Sequence, residues 1–141
     1  MTLEKIQQSQ NWEDKYRQLI QLGKTLPAPT ESELAELQPI HGCEVNLWAK
    51  ISLNTDRTLA LQAYSEARIM NGLLVILIQA VNGKDIAELQ DFNVTELFSK
   101  LGIAQRLSET RLNGLKQIEM KIKAWVKLCD RHASGDARQR Q

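Results

Sequence analysis

The chain has 141 residues, 43% of them hydrophobic and 25% charged, with a formal net charge of +1. That length suits one domain able to bury its own core, and the near-neutral balance excludes the broad positive field of a nucleic-acid or acidic-membrane binder. Two cysteines far apart make no disulfide framework and no apolar stretch follows the charged start Met1-Thr2-Leu3-Glu4-Lys5, so a reducing cytoplasm is the expected compartment.

Asn11 is placed to cap a helix whose acidic first turn, Glu13-Asp14, suits the positive end of the helix dipole. Trp12, Tyr16, Leu19 and Ile20 recur at helical spacing, and Gly23 with Pro27 supplies the stop. Thr30-Glu31-Ser32-Glu33 has capping-box spacing and predicts a second, shorter helix ending at Pro39. From Cys43 the pattern alternates: Cys43, Val45, Leu47, Ala49, Ile51 and Leu53 share one face, and Glu44, Asn46, Trp48, Lys50 and Ser52 the other. This predicts a half-buried strand. Asn54-Thr55-Asp56-Arg57 has turn composition and Thr58 to Tyr64 alternates again, which predicts an antiparallel hairpin.

Helices fill the remainder. Ser65 is expected to cap one that runs to Asn82-Gly83; its apolar run, Gly72 to Val81, is too short to span a bilayer and predicts a buried helix. Lys84 to Leu89 predicts a short helical turn, Asn93 or Thr95 starts another helix, and Gly102 closes it. Ser108 is expected to cap the last helix, with Leu112, Leu115, Ile118, Ile122, Trp125, Val126 and Cys129 as its apolar stripe. The expected fold is a single α+β domain over residues 1–130, several helices packed against a small antiparallel sheet, followed by a flexible polar tail over 131–141.

Cys43 is the first chemical candidate, because a thiol on the turn His41-Gly42-Cys43 is open to another molecule's reactive group in a way that a mid-helix thiol is not. Packing as a small hydrophobe is the alternative, and strand parity turns Cys43 toward the sheltered, apolar side. Ser65-Glu66-Ala67-Arg68 and Ser108-Glu109-Thr110-Arg111 each place an arginine three residues past the serine, where the dipole disfavours a cation. A rule broken at a helix start marks either function or an ion pair, here with a carboxylate such as Glu109. His41, His132, Cys43 and Cys129 have no metal-ligand spacing, and His41 is expected to be a solvated loop residue. No phosphate-binding glycine loop is present. Lys116, Lys121, Lys123 and Lys127, interspersed with Glu119, predict a solvated helix face.

Four segments in register carry a more specific message. Trp12 to Pro27, Gly42-Cys43 followed by Trp48, Ile69-Met70-Asn71-Gly72-Leu73-Leu74, and Ser108-Glu109-Thr110-Arg111-Leu112-Asn113-Gly114-Leu115 together resemble the SufE family of sulfur acceptors over residues 11 to 125, the first segment being most like its CsdE branch. The resemblance implies a protein that takes persulfide sulfur from a cysteine desulfurase, stimulates that enzyme, and relays the sulfur toward iron–sulfur cluster assembly or another sulfur-using pathway. It implies helices on a small antiparallel sheet, the acceptor thiol at Cys43 turned into an apolar cavity, and Arg111 as a contact to thiolate or partner. It implies no cofactor of the chain's own, since pyridoxal phosphate belongs to the desulfurase. The implied partners are a cysteine desulfurase and a downstream acceptor or cluster scaffold, with no nucleic acid or membrane, for a monomer or weak homodimer. Two departures stand out: Ala63-Tyr64-Ser65 occupies the place of Gly-Asp-Ser, so Tyr64 supplies no carboxylate there, and Glu44-Val45 varies the residues after Gly-Cys. A thiol redox sensor or a non-catalytic adaptor of a desulfurase complex is the competing expectation.

Overall fold

The computed structural model describes residues 2–41 and 46–139. It opens with α1, Thr2–Gln8, a helix that has no strong capping signal in the sequence and was not expected there. The fully buried Ile6 and packing on the next helix hold it in place. That next helix, α2, spans Trp12–Gly23, and the Asn11 side chain caps it by accepting the Asp14 N–H at 2.9 Å. A capping box starts α3, Glu31–Glu36: Glu33 N–H donates to Thr30 Oγ1 at 3.2 Å, and Thr30 N–H donates to the Glu33 carboxylate at 3.0 Å.

The sheet is three-stranded, antiparallel and ordered β1-β2-β3, with β1 Gln38–Pro39, β2 Leu47–Leu53 and β3 Leu59–Ser65. The predicted hairpin is β2–β3, in register Leu47 with Ser65, Trp48 with Tyr64 and Leu53 with Leu59. Its predicted core face is buried at Leu47, Ala49, Leu59, Leu61 and Ala63. Among the described residues parity fades toward the turn, where Ile51 is half-buried and Leu53 is 50% exposed. Strand β1 lies where the helix α3 was expected to continue up to Pro39, and two residues are too few to show alternation.

Helix α4, Arg68–Val81, covers β3, and its residues from Ile69 to Leu77 are all buried. Ser65 does not cap it. Ser65 ends β3 instead, and the N-cap position belongs to Ala67, which makes no side-chain capping bond. The Ser65 hydroxyl has a tertiary partner, donating to the Asn46 carbonyl at 2.6 Å, so the two Ser-x-x-Arg segments do not share a capping geometry. Ser108 does cap: Arg111 N–H donates to its Oγ at 3.3 Å at the start of α7, Glu109–Gln139.

Between these helices come α5, Ile86–Leu89, capped by an Asp85–Glu88 box, and α6, Val94–Lys100, capped by Asn93 rather than Thr95. Gly102 ends α6 with φ +72°, a left-handed conformation that favours glycine. Lys15 reaches across from α2 and donates to the Leu101 carbonyl at 2.5 Å while only 9% exposed, satisfying one of the last carbonyls of α6. Helix α7 packs on β2, α5 and α6 through Leu115, Ile118, Ile122 and Val126. Its backbone continues as helix through 131–139, where the sequence predicts fraying; alanine, arginine and glutamine there all have high helix propensity. Among the described residues no helix is long and apolar enough to cross a membrane.

Candidate functional site

Cys43 lies with Gly42, Glu44 and Val45 outside the described residues, and so do the expectations that its thiol is sheltered or faces a cavity. The structure does describe both flanks. The chain reaches this segment through β1, Ile40 and His41, and leaves it through Asn46 into β2. The flanks are tied together: Ile40 N–H donates to the Leu47 carbonyl at 2.8 Å, continuing the pairing of Pro39 with Trp48. Ile40 and Leu47 are buried, whereas His41 is exposed, as the sequence predicts.

A polar network, exposed at Asn46 and Glu66 and buried at Ser65 and Asn71, anchors the outgoing flank. The Asn46 carbonyl accepts the Ser65 hydroxyl and, at 3.3 Å, the Glu66 N–H, while Asn46 Nδ2 donates to the Glu66 carboxylate at 3.0 Å. Asn71 holds Ser65 from the other side. Its Oδ1 accepts the Ser65 N–H at 2.8 Å, and its Nδ2 donates to the Ser65 carbonyl at 2.8 Å. One side-chain amide thus pairs both backbone groups of a strand residue, as a neighbouring strand would. Ser65 is fully buried and Asn71 is 9% exposed, so both need these partners. Neither was singled out as a site residue from sequence. A polar Asn71 within an otherwise apolar buried helix was the available signal.

Arg111 is half-buried in the first turn of α7, and α7 packs on β2, the strand that follows the Cys43 segment. Arg68 is exposed in the first turn of α4. Cys129 is a free, half-buried thiol on α7. It lies eighteen residues from Arg111, about 27 Å along the helix at 1.5 Å per residue. Arg111 and Cys129 therefore belong to different ends of α7. Tyr64 is half-buried and pairs with Trp48 across the hairpin. Among the described residues no group of three or more His, Cys, Asp or Glu is placed to hold a metal ion.

Helices on one face of a short antiparallel sheet, with a cysteine between tied flanks, define a class that the comparisons identify. The SufE model, described as an Fe-S metabolism associated domain, matches residues 1–126. A SufE-like protein of Haemophilus influenzae is 54% identical over 121 residues, covering 86% of this chain and 96% of its own. The sulfur acceptor protein CsdE of Escherichia coli is 42% identical over 116 residues, covering 82% of this chain and 79% of its own. A solution structure of a hypothetical protein from Thermus thermophilus superposes with a TM-score of 0.69 at 17% identity, covering 89% of this chain and 90% of that one, and shows a shared fold. The chain belongs to the SufE family.

Proposed function

We propose that this protein is a sulfur acceptor for a cysteine desulfurase, with Cys43 as the accepting thiol. The observation that carries the reading is family membership together with the 42% identity to a protein named as a sulfur acceptor. Two local features support Cys43 over Cys129. Cys43 falls between two strands whose flanks are hydrogen-bonded, whereas Cys129 is within helix α7 on its packing stripe.

The chemistry is thiol–persulfide exchange. The Cys43 thiolate attacks the outer sulfur of a persulfide on the desulfurase; a new sulfur–sulfur bond forms as the old one breaks, and the partner's cysteine leaves as a thiolate. No external oxidant or reductant is needed. The chain acts as a carrier and activator, and pyridoxal phosphate remains with the partner. Arg111 serves the thiolate or the docked desulfurase through its cation, and the sulfur then passes to a downstream acceptor in the cytoplasm.

The test is a persulfide map. Parent, Cys43→Ser and Cys129→Ser proteins are incubated with desulfurase and cysteine, and the added sulfur is located by mass spectrometry. Label on Cys43 in parent and Cys129→Ser, and none in Cys43→Ser, is the expected result. Label that persists in Cys43→Ser and vanishes in Cys129→Ser overturns it.

A further inference from the structure

Strand β3 is an edge of the sheet, and among the described residues its outward hydrogen-bonding groups are filled at both ends but open in the middle. Leu59 bonds away from β2, its N–H donating to the Lys84 carbonyl at 2.9 Å and its carbonyl accepting the Gly83 N–H at 3.0 Å. Ser65 also bonds outward, to Asn71. Backbone direction alternates along a strand, so Leu61 and Ala63 face outward as well. Leu61 N–H is taken by Asn82 Oδ1 at 2.6 Å. That leaves the Leu61 carbonyl and both backbone groups of Ala63 with no hydrogen-bond partner among the described residues.

A cleft of about 300 Å³ lies along these open groups. Leu61, Gln62, Ala63 and Tyr64 line one wall, and since alternate residues point to opposite faces, a cleft touching all four runs along the strand edge rather than over one face. The other wall is Leu26 to Pro29, where Pro27 and Pro29 have no N–H with which to close the gap. Glu33, Glu36, Leu37 and Ile78 complete it, giving the cleft two carboxylates beside apolar side chains. Glu36 meets Lys50 at 3.8 Å in a solvent-exposed pair, weak enough to exchange for another cation.

We propose that this cleft takes a short extended segment of a partner protein, which adds to β3 by pairing with Ala63 and sets a lysine or arginine side chain against Glu33 and Glu36. Strand addition supplies main-chain hydrogen bonds for affinity, and the flanking side-chain site supplies selectivity. The capping by Asn71 and Asn82 on either side limits the added strand to about three residues, one side-chain repeat of an extended chain.

The experiment is an amide NMR titration of the full chain with blocked tripeptides, acetyl-Val-Arg-Val-amide and acetyl-Val-Glu-Val-amide. The expected result is that the arginine peptide shifts the Ala63 amide and slows its hydrogen exchange about tenfold near saturation, with a dissociation constant on the order of millimolar, and that the glutamate peptide binds at least about fivefold more weakly. Ala63→Pro removes the donor at an edge position that the ladder does not use and is expected to abolish the peptide-induced shifts of the neighbouring Gln62 and Tyr64 amides, which the variant retains. If that variant does not fold, the double change Glu33→Gln with Glu36→Gln carries the test, because glutamine preserves the capping box at Glu33; it is expected to bring the arginine peptide down to the glutamate peptide's affinity. No Ala63 shift at about 5 mM arginine peptide, or equal binding of both peptides, overturns the proposal. Concentration-dependent protection of Ala63 without peptide also overturns it, and assigns the edge to a second copy of this chain.

Discussion

Gly72 lies against Leu19: a Cβ built at position 72 would sit 2.1 Å from the Leu19 carbonyl oxygen. The contact is backbone to backbone at the crossing of α2 and α4, and Gly23 repeats it one turn away, where a Cβ would be 2.8 Å from the Arg68 carbonyl oxygen. Both glycines belong to segments that carry the family resemblance. Their role here is close packing of the two helices beneath the sheet edge, which places Asn71 beside Ser65.

Gly72→Ala should therefore destabilise by about 1–3 kcal/mol or more, because rigid backbone must move to admit the methyl group. Gly83→Ala is the contrast. Its site is open, with nothing within 4 Å, and its cost comes only from φ +76°, about 1–2 kcal/mol. Urea unfolding of both variants checks the ranking. Equal midpoints would mean that the helix crossing relaxes freely.

Asn71→Leu keeps the volume and removes both partners of the Ser65 backbone. Each buried group left unsatisfied costs about 1–3 kcal/mol, so a loss of roughly 2–6 kcal/mol is expected for the two, with Ser65 amide exchange rising well above that of Leu61. Ser65 also holds Asn46, so sulfur transfer measured at a temperature where the variant is folded should fall too. Transfer that matches the parent while Ser65 is deprotected would separate the network from the Cys43 segment.

These residues show how far sequence alone carries. The caps at Asn11, Thr30, Asn93 and Ser108 and the parity of Leu47, Ala49, Leu59 and Leu61 were legible, because each depends on neighbours three or two residues away. Ser65 was misread, because its hydroxyl is taken by Asn46, nineteen residues earlier in the chain. Lys15 has the same character, with its bond to Leu101 spanning 86 residues. Helix α1 and strand β1 escaped notice because tertiary packing, rather than local signal, holds such short elements. The resemblance pointed to Cys43 and Arg111, while local patterning alone left both with structural alternatives.

Acid should weaken the β2–β3 turn. The Asp56 carboxyl is held below its ordinary value by the Thr58 hydroxyl, at 2.5 Å, and by the Thr58 N–H, at 3.2 Å. A depressed folded-state value means that this contribution is fully present above the ordinary aspartate range and is lost as pH falls through the lower, folded-state value. Carboxyl chemical shifts followed by NMR should show Asp56 titrating below the ordinary aspartate range. Asp56→Asn should remove the difference in turn stability between neutral and acidic solution.

Arg111→Ala should reduce stimulation of the desulfurase, and Arg111→Lys should recover only part of it if the planar guanidinium fork is what the site uses. Steady-state rates over a range of acceptor concentrations separate a weaker half-saturation from a lower plateau. Full stimulation by Arg111→Ala, together with a large fall in unfolding midpoint, would make the residue structural.

Docking and chemistry separate most sharply at Cys43. A specific protein interface involves roughly twenty or more residues on each side, so deleting one sulfur leaves most of the contact surface intact. Cys43→Ala should bind the desulfurase within about tenfold of the parent's affinity, a difference of about 1.4 kcal/mol, yet accept no sulfur and give no acceleration. Calorimetry paired with sulfide release under limiting reductant reads both halves in the same preparation. If Cys43→Ala accelerates the desulfurase as well as the parent does, the protein acts by changing the enzyme's conformation, and relay through this thiol is the wrong mechanism.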